Sequence, residues 1–335
     1  MNQISYRKVF ILGSGFSKSV SSTMPTMKDL SESLLNIKNS KNYDELASFV
    51  EEIKQVSGIH DSVCTIENIS SIILLKSLYY NNEEKIYYDI LKHQLLRWIF
   101  DRIESHTPTI DREKEKELLH FFESCSYSTN DKFPVRPSLI LTFNYDLLLE
   151  RLLGDANSGN CSVDYIIRLN RYLSDYEPEP DRRDHRNIGY IKLHGSLNWF
   201  TAPGTKRVDL SHVYQVDDRD PSKNLIHYKD IPVYIPMAFS KTQFFEGSLY
   251  NVLWNIAHRY LEACEEIVFI GYGFPPSDLD NLYYFLKLKN KVSEIVIRED
   301  ESTDKILRLM QLFPESKIIN MDAFEYIESK YISRK

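Results

Sequence analysis

Short apolar runs, each closed by a glycine-rich or polar stretch, recur along this chain. Val9-Phe10-Ile11-Leu12 is the first, long enough for one buried strand, and it stops at Gly13-Ser14-Gly15. Leu139-Ile140-Leu141-Thr142 is the second and gives way to Phe143-Asn144-Tyr145-Asp146. Within the stretch 188–199, Ile188-Gly189-Tyr190-Ile191-Lys192-Leu193 ends at His194-Gly195. Pro232-Val233-Tyr234-Ile235 returns to strand character, Ile267-Val268-Phe269-Ile270 runs into Gly271-Tyr272-Gly273, and Ile295-Val296-Ile297 meets Arg298. Lys317-Ile318-Ile319-Asn320 is the last such run. Between the first two runs the spacing changes to that of helices, as in Leu30, Leu34, Leu35 and Ile37, then Ile86, Ile90, Leu91, Leu95, Trp98 and Ile99. A further helix is predicted around residues 249–264. Strands alternating with helices predict an α/β fold with a parallel, doubly wound sheet.

The domain reading follows from length and pattern. A chain of 335 residues with 42% hydrophobic content can bury a large core. We expect one domain over residues 1–335, carrying a helical insertion at 28–124 and a small polar insertion at 201–230, with no internal repeat. The net charge of −7 and the lack of a sustained basic tract argue against direct nucleic-acid binding, so an anionic ligand must be held by local donors. Cys64, Cys125, Cys161 and Cys264 are far apart and form no metal-ligand pair, which fits a reducing cytoplasm and no zinc. No apolar run approaches the ~20 residues needed to cross a bilayer, so a soluble cytoplasmic protein is expected.

The candidate chemistry sits at the ends of the runs. Gly13 and Gly15 would let the backbone amides after Leu12 face an anion, with Ser14 and Ser17 adding hydroxyls; an ordinary tight βα turn needs the same residues. A dinucleotide fingerprint would want a third glycine where Lys18 stands, and the Gly-Lys-Ser/Thr of a P-loop is absent. Asn144 and Asp146 place an amide and a carboxylate where a ligand crevice would open, or they cap the following helix. His194 follows a strand end beside Gly195, where a backbone can come close to a substrate, and its ordinary pKa of about 6.5 suits proton exchange. The other histidines have no such setting. Residues 18–23 form a small polar stretch that could close over a ligand, and Glu67 reads as a solvated or capping carboxylate.

Taken in order, Gly-Ser-Gly-Phe-Ser, Thr-Phe-Asn-Tyr-Asp, Leu-His-Gly-Ser, Gly-Tyr-Gly-Phe-Pro-Pro-Ser-Asp and Val-Ile-Arg resemble the signature of the sirtuin-like NAD-binding family. Closest in appearance is its bacterial branch that degrades NAD in antiphage defence. The resemblance implies a Rossmann-like sheet with a large helical insertion. It implies that Gly13, Ser14, Gly15, Phe16 and Ser17 hold the diphosphate, that Asn144 and Asp146 lie near the nicotinamide ribose and carboxamide, and that Asn144 and His194 are catalytic. Gly271 and Gly273 would back the adenosine side, with Arg298 where the family often has a polar contact. Protein-deacylating sirtuins carry a four-cysteine zinc module after the His-Gly block, and here residues 201–230 hold no cysteine. Their Pro-Asp-Phe-Arg motif is replaced by Pro25-Thr26-Met27-Lys28.

The implied activity is NAD+ glycohydrolysis to nicotinamide and ADP-ribose, with NAD+ as substrate and no further cofactor, acting as the depleting effector of an abortive-infection system. The alternatives are an NAD- or ADP-ribose-binding regulatory module, and a protein deacylase or ADP-ribosyltransferase. Because constant NAD hydrolysis would poison its host, we expect control by homo-oligomerisation through residues 28–124 or by a partner such as a HerA-type ATPase, the latter implied by the resemblance.

Overall fold

The computed structural model describes residues 6–38, 42–57, 64–81, 83–105, 109–128, 137–154, 161–167, 169–171, 186–205, 208–216, 230–239, 241, 244 and 249–332. Strand β1 (Lys8–Leu12) leads through α1 (Ser14–Val20) into α2 (Met27–Leu35), α3 (Asp44–Ser57), α4 (Ile66–Tyr79), α5 (Glu83–Glu104) and α6 (Arg112–Cys125). Then come β2 (Tyr127–Ser128), β3 (Ser138–Thr142), α7 (Leu148–Gly154), β4 (Cys161–Asp164), β5 (Asn170–Arg171) and β6 (Arg186–Lys192). β7 (Gly195–Thr201), β8 (Val213–Gln215) and β9 (Ile231–Tyr234) precede α8 (Leu249–Ala263). The chain closes with β10 (Glu266–Ile270), α9 (Leu279–Lys287), β11 (Val292–Ile297), α10 (Thr303–Leu312), β12 (Lys317–Asn320) and α11 (Ala323–Ile327).

The main sheet is Rossmann-like, with strand order β12-β11-β10-β1-β3-β6; these six run parallel, and β4 and the antiparallel β2 flank β6. β1 lies at its middle, with Phe10 opposite both Val268 and Ile140. Residues 9–12 are buried without alternation because both faces of a central parallel strand are covered, which is why the run reads as uniformly apolar. From β1 the chain steps outward to β3 and β6, returns to β10, and steps outward the other way to β11 and β12. Right-handed crossovers therefore leave β1 and β10 on opposite faces of the sheet. The crevice between their carboxyl ends is the topological switch point, where open α/β sheets take their ligands.

A second sheet, absent from the sequence reading, follows directly. Its order is β5-β8-β7-β9, with β7 antiparallel to β8 and β9. The segment 188–199 is thus two strands belonging to different sheets, joined by Leu193 and His194. The region 201–230 contains β8, and its residues 217–229 lie outside the described ones.

Two apolar clusters divide the interior. The main sheet shares one with Leu118, Phe121 and Phe122 of α6, which packs on β3 and β6. Helices α2 to α5 share the other with Leu197, Phe200 and Tyr234 of the small sheet. The helices of 28–124 accordingly serve two layers, α6 covering the main sheet and α2 to α5 the small one. Local signals set their ends: Thr26 and Asp29 form a reciprocal capping box at the start of α2, so the stretch Pro25-Thr26-Met27-Lys28 has a structural use.

Candidate functional site

The turns after β1 and β10 meet at the switch point. Gly13 N–H donates to the Ile270 carbonyl at 3.1 Å, Gly15 N–H to the Gly271 carbonyl at 2.9 Å, and Phe16 N–H to the Gly13 carbonyl at 3.0 Å. Gly271 has φ +66°, and a Cβ there would stand 2.2 Å from the Phe16 nitrogen; one on Gly13 would stand 2.5 Å from the Gly271 oxygen. These glycines are required by two backbones pressed together, whatever else they bind. Three of the amides that could have faced a diphosphate are engaged in that packing. Ser14 is exposed, while Phe16 and Ser17 are buried. Gly273 lies beside Lys305, which pairs with Glu301. Arg298 is exposed and donates to Asp300 at the end of β11, two strands from β1, or roughly 10 Å at strand spacing.

Asn144, Ser17 and Asp146 form a linked set. The Asn144 amide nitrogen donates to the Gly13 carbonyl at 2.9 Å and to Ser17 Oγ at 2.7 Å, and Ser17 Oγ donates to Asp146 Oδ2 at 2.7 Å. The other Asp146 oxygen accepts the Leu148 N–H at 3.2 Å, so Asp146 caps α7 while also fixing Ser17. Asn144 has a different task from capping: its side chain ties the β3 loop to the β1 turn. With both amide protons engaged, its Oδ1 is the atom it can offer a ligand, as an acceptor.

His194 is the hinge between the two sheets. It is 6% exposed, and its carbonyl accepts the Ile235 N–H at 2.8 Å. Gly195 has φ +86°, and a Cβ there would stand 2.3 Å from the Val233 oxygen, so β9 occupies the close approach expected for a substrate. The His194 ring packs edge-on against Phe143 at 5.0 Å, and Phe143 stacks on Tyr272 at 4.6 Å. Among the described residues Nε2 has no hydrogen-bond partner. Burial, reinforced by the Lys241 charge, pushes its pKa down to about 3 against a smaller opposing pull from Asp278, so the imidazole is neutral at physiological pH.

Sequence reasoning gave no role to the groups around that ring. Asp278 pairs with Lys241 and accepts from the Tyr272 hydroxyl at 2.8 Å. Burial raises the Asp278 carboxyl, but the Lys241 charge and the hydrogen bonds from Lys241 and Tyr272 outweigh it and hold the group below its ordinary value; His194 adds to this only once its ring is protonated. Asp278 was legible only as the end of a Gly-x-Gly block, and Lys241 had no pattern to mark it. Glu67 accepts from Ser277 at 3.0 Å, which ties α4 to the same turn.

The expected closing loop at 18–23 is corrected. Lys18 and Ser19 belong to α1, which ends at Val20, and the turn after it is pinned: Lys18 Nζ donates to the Ser22 and Met24 carbonyls, while Asp111 accepts from the Ser22 N–H and hydroxyl. Beside it a cavity of about 260 Å³ opens between Lys18, Pro25, Ser33 and Arg102.

All four cysteines are buried free thiols; burial pushes Cys125 up to about 12 and Cys161 up to about 11. Among the described residues no group of three or more His, Cys, Asp or Glu could hold a metal, and no helix is long and apolar enough to cross a membrane.

No family model matches the chain, and no curated protein matches it. Among solved structures, the chain is similar to one described as "Structural Basis for the Mechanism and Regulation of Sir2 Enzymes", at 12% identity over 97% of this chain and 90% of that one, with a TM-score of 0.46. It is also similar to "The Structural basis of Sirtuin Substrate Affinity", at 12% identity over 97% and 93% of the two chains, TM-score 0.43. A third is "Structure of Sir2Tm bound to a propionylated peptide", at 11% identity over 97% and 92%, TM-score 0.42.

Proposed function

We propose that this protein binds NAD+ across the carboxyl ends of β1, β3, β6 and β10 and hydrolyses its nicotinamide–ribosyl bond. The observation that carries the reading is the Asn144–Ser17–Asp146 set at the switch point, held rigidly enough to present one acceptor, Asn144 Oδ1. His194 adds a second acceptor, a neutral imidazole whose Nε2 is unpartnered among the described residues. Two fixed acceptors suit a ligand rich in hydroxyl donors, such as a ribose with an attacking water. Nicotinamide leaves a pyridinium as a neutral molecule, so the enzyme's task is to stabilise an oxocarbenium-like ribose and deliver that water. In this reading Asn144 orients the water or a ribose hydroxyl, and His194 takes the proton, a step that requires ligand binding to raise its low pKa. Gly13, Ser14, Gly15, Phe16 and Ser17 shape the diphosphate side, with Ser14 as the exposed hydroxyl, and Gly271 and Gly273 back the adenosine.

A second reading, an NAD- or ADP-ribose-binding module without turnover, draws support from a specific observation. Burial and the Lys241 charge push the His194 pKa down to about 3, a weak base that leaves the site poorly supplied with a proton acceptor for turnover. Incubation with NAD+ separates the two, with free nicotinamide and ADP-ribose as the readout. Turnover lost about 10²- to 10⁴-fold in His194→Ala, with the fold and NAD+ affinity retained, supports the enzyme; saturable binding without release of nicotinamide by wild type supports the module. The finer proposal is an abortive-infection effector gated by self-association or by a partner ATPase, and it would require activity that rises on assembly.

A further inference from the structure

Lys192 is fully buried at the end of β6, two residues before His194. Its Nζ donates to the Tyr145 carbonyl at 3.2 Å, to the Asp146 carbonyl at 2.5 Å and to Glu150 Oε1 at 2.9 Å, which accounts for all three ammonium protons. Both carbonyls belong to the loop between β3 and α7 that carries Asn144 and Asp146. Glu150, on α7, is fully buried as well, and its Oε1 also accepts from the Tyr165 hydroxyl at 2.8 Å.

This pair is poorly suited to being a stabilising device. Two charges have been taken out of water, and Glu150 Oε2 has no hydrogen-bond partner among the described residues. A buried ion pair of this kind is typically no better for stability than apolar residues of the same volume. What the ammonium supplies and an apolar side chain cannot is a three-way tie among the end of β6, the loop after β3 and the start of α7. The Tyr145 carbonyl is held a second time by the Leu197 N–H of β7 at 3.0 Å, whereas the tie on the Asp146 carbonyl comes from Lys192.

We propose that Lys192 is a positioning residue: with its third proton on the acceptor oxygen at position 150, it clamps the Tyr145 and Asp146 carbonyls and so fixes the Asn144 loop relative to His194. Lys192 touches no substrate in this account and acts through the loop. Only the kinetic consequence rests on the proposed NAD+ hydrolysis; the clamp itself is a property of the fold.

The test uses the full chain and two variants. Lys192→Met combined with Glu150→Gln removes both charges and keeps an acceptor for Tyr165. Glu150→Gln alone keeps the Lys192 donors on both carbonyls and an acceptor for the third. Amide hydrogen exchange over residues 144–148, melting temperature, and kcat and KM for NAD+ are measured for each. In the double variant, exchange at 144–148 should rise roughly tenfold while β10 amides stay protected, and kcat should fall about 10²-fold with KM little changed. Glu150→Gln should keep exchange and kcat within about threefold of wild type, because the hydrogen-bond donors rather than the carboxylate's charge set the loop. Unchanged exchange at 144–148 in the double variant overturns the clamp. So does an equal loss in Glu150→Gln, and this arm decides alone if the double variant does not fold. If wild type leaves NAD+ intact, the hydrolase reading falls while the exchange arms still judge the clamp.

Discussion

Acid lability centred on His194 is the sharpest physical consequence of the site. In the unfolded chain this imidazole titrates near 6.5, and in the folded protein burial and Lys241 bring it to about 3. Between these values the unfolded state binds a proton that the folded state refuses, so stability falls as pH falls. The linkage integral gives a loss of about 2.5 kcal/mol between pH 7 and pH 4.5 from this one group. That is a large share of the ~5–15 kcal/mol by which domains are stable. For a chain of 335 residues, at ~2 cal/mol/K of unfolding entropy per residue, it corresponds to roughly 3–4 °C in melting temperature. His194→Gln keeps a neutral polar side chain of related size and removes the titration. Melting curves of wild type and variant, taken from pH 7 to pH 4.5, should therefore diverge by that amount, the wild type falling more steeply. The partly buried His93 and His258 titrate in both proteins and cancel in the comparison, while the Asp278 carboxyl, coupled to His194, is counted with it. Parallel curves would refute the reasoning, as would a directly observed His194 titration near pH 6.5 in the folded protein. Any NAD+ turnover should likewise lack an acid limb near pH 6.5 due to this histidine.

Two further outcomes follow from the turn packing. Gly271→Ala places a Cβ 2.2 Å from the Phe16 nitrogen at a backbone angle that L residues rarely adopt, so it should cost at least about 1–3 kcal/mol, seen as a lowered melting temperature; an unchanged value would show that the two turns do not press together. Asn144→Asp replaces a donor by an oxygen facing the Gly13 carbonyl and should lower stability by about 1–3 kcal/mol and abolish nicotinamide release. Retained turnover in a folded Asn144→Asp protein would remove Asn144 from the site.

The sequence alone carried the elements and the places where they stop. A central parallel strand is covered on both faces, so Val9-Phe10-Ile11-Leu12 and Ile267-Val268-Phe269-Ile270 had to be uniformly apolar, and their ends were visible as glycine pairs. Helical spacing and the Thr26 capping box are equally local, because each depends on residues within a turn or two. Asn144, Asp146 and His194 were legible as strand-end residues for the same reason, though their partners were not. Only the tertiary structure decided that the turn at Gly13 rests on the turn at Gly271, since strand order is fixed by pairing between segments far apart in the chain. It alone showed that the chain beyond His194 enters a second sheet, because a left-handed glycine and the approach of β9 are not periodic signals. The neutral state of His194 depends on how much water and which charges surround the ring, and Lys192 reads as an ordinary strand residue until Glu150 is folded against it. Such properties arise from desolvation and long-range contact, which a linear pattern does not encode.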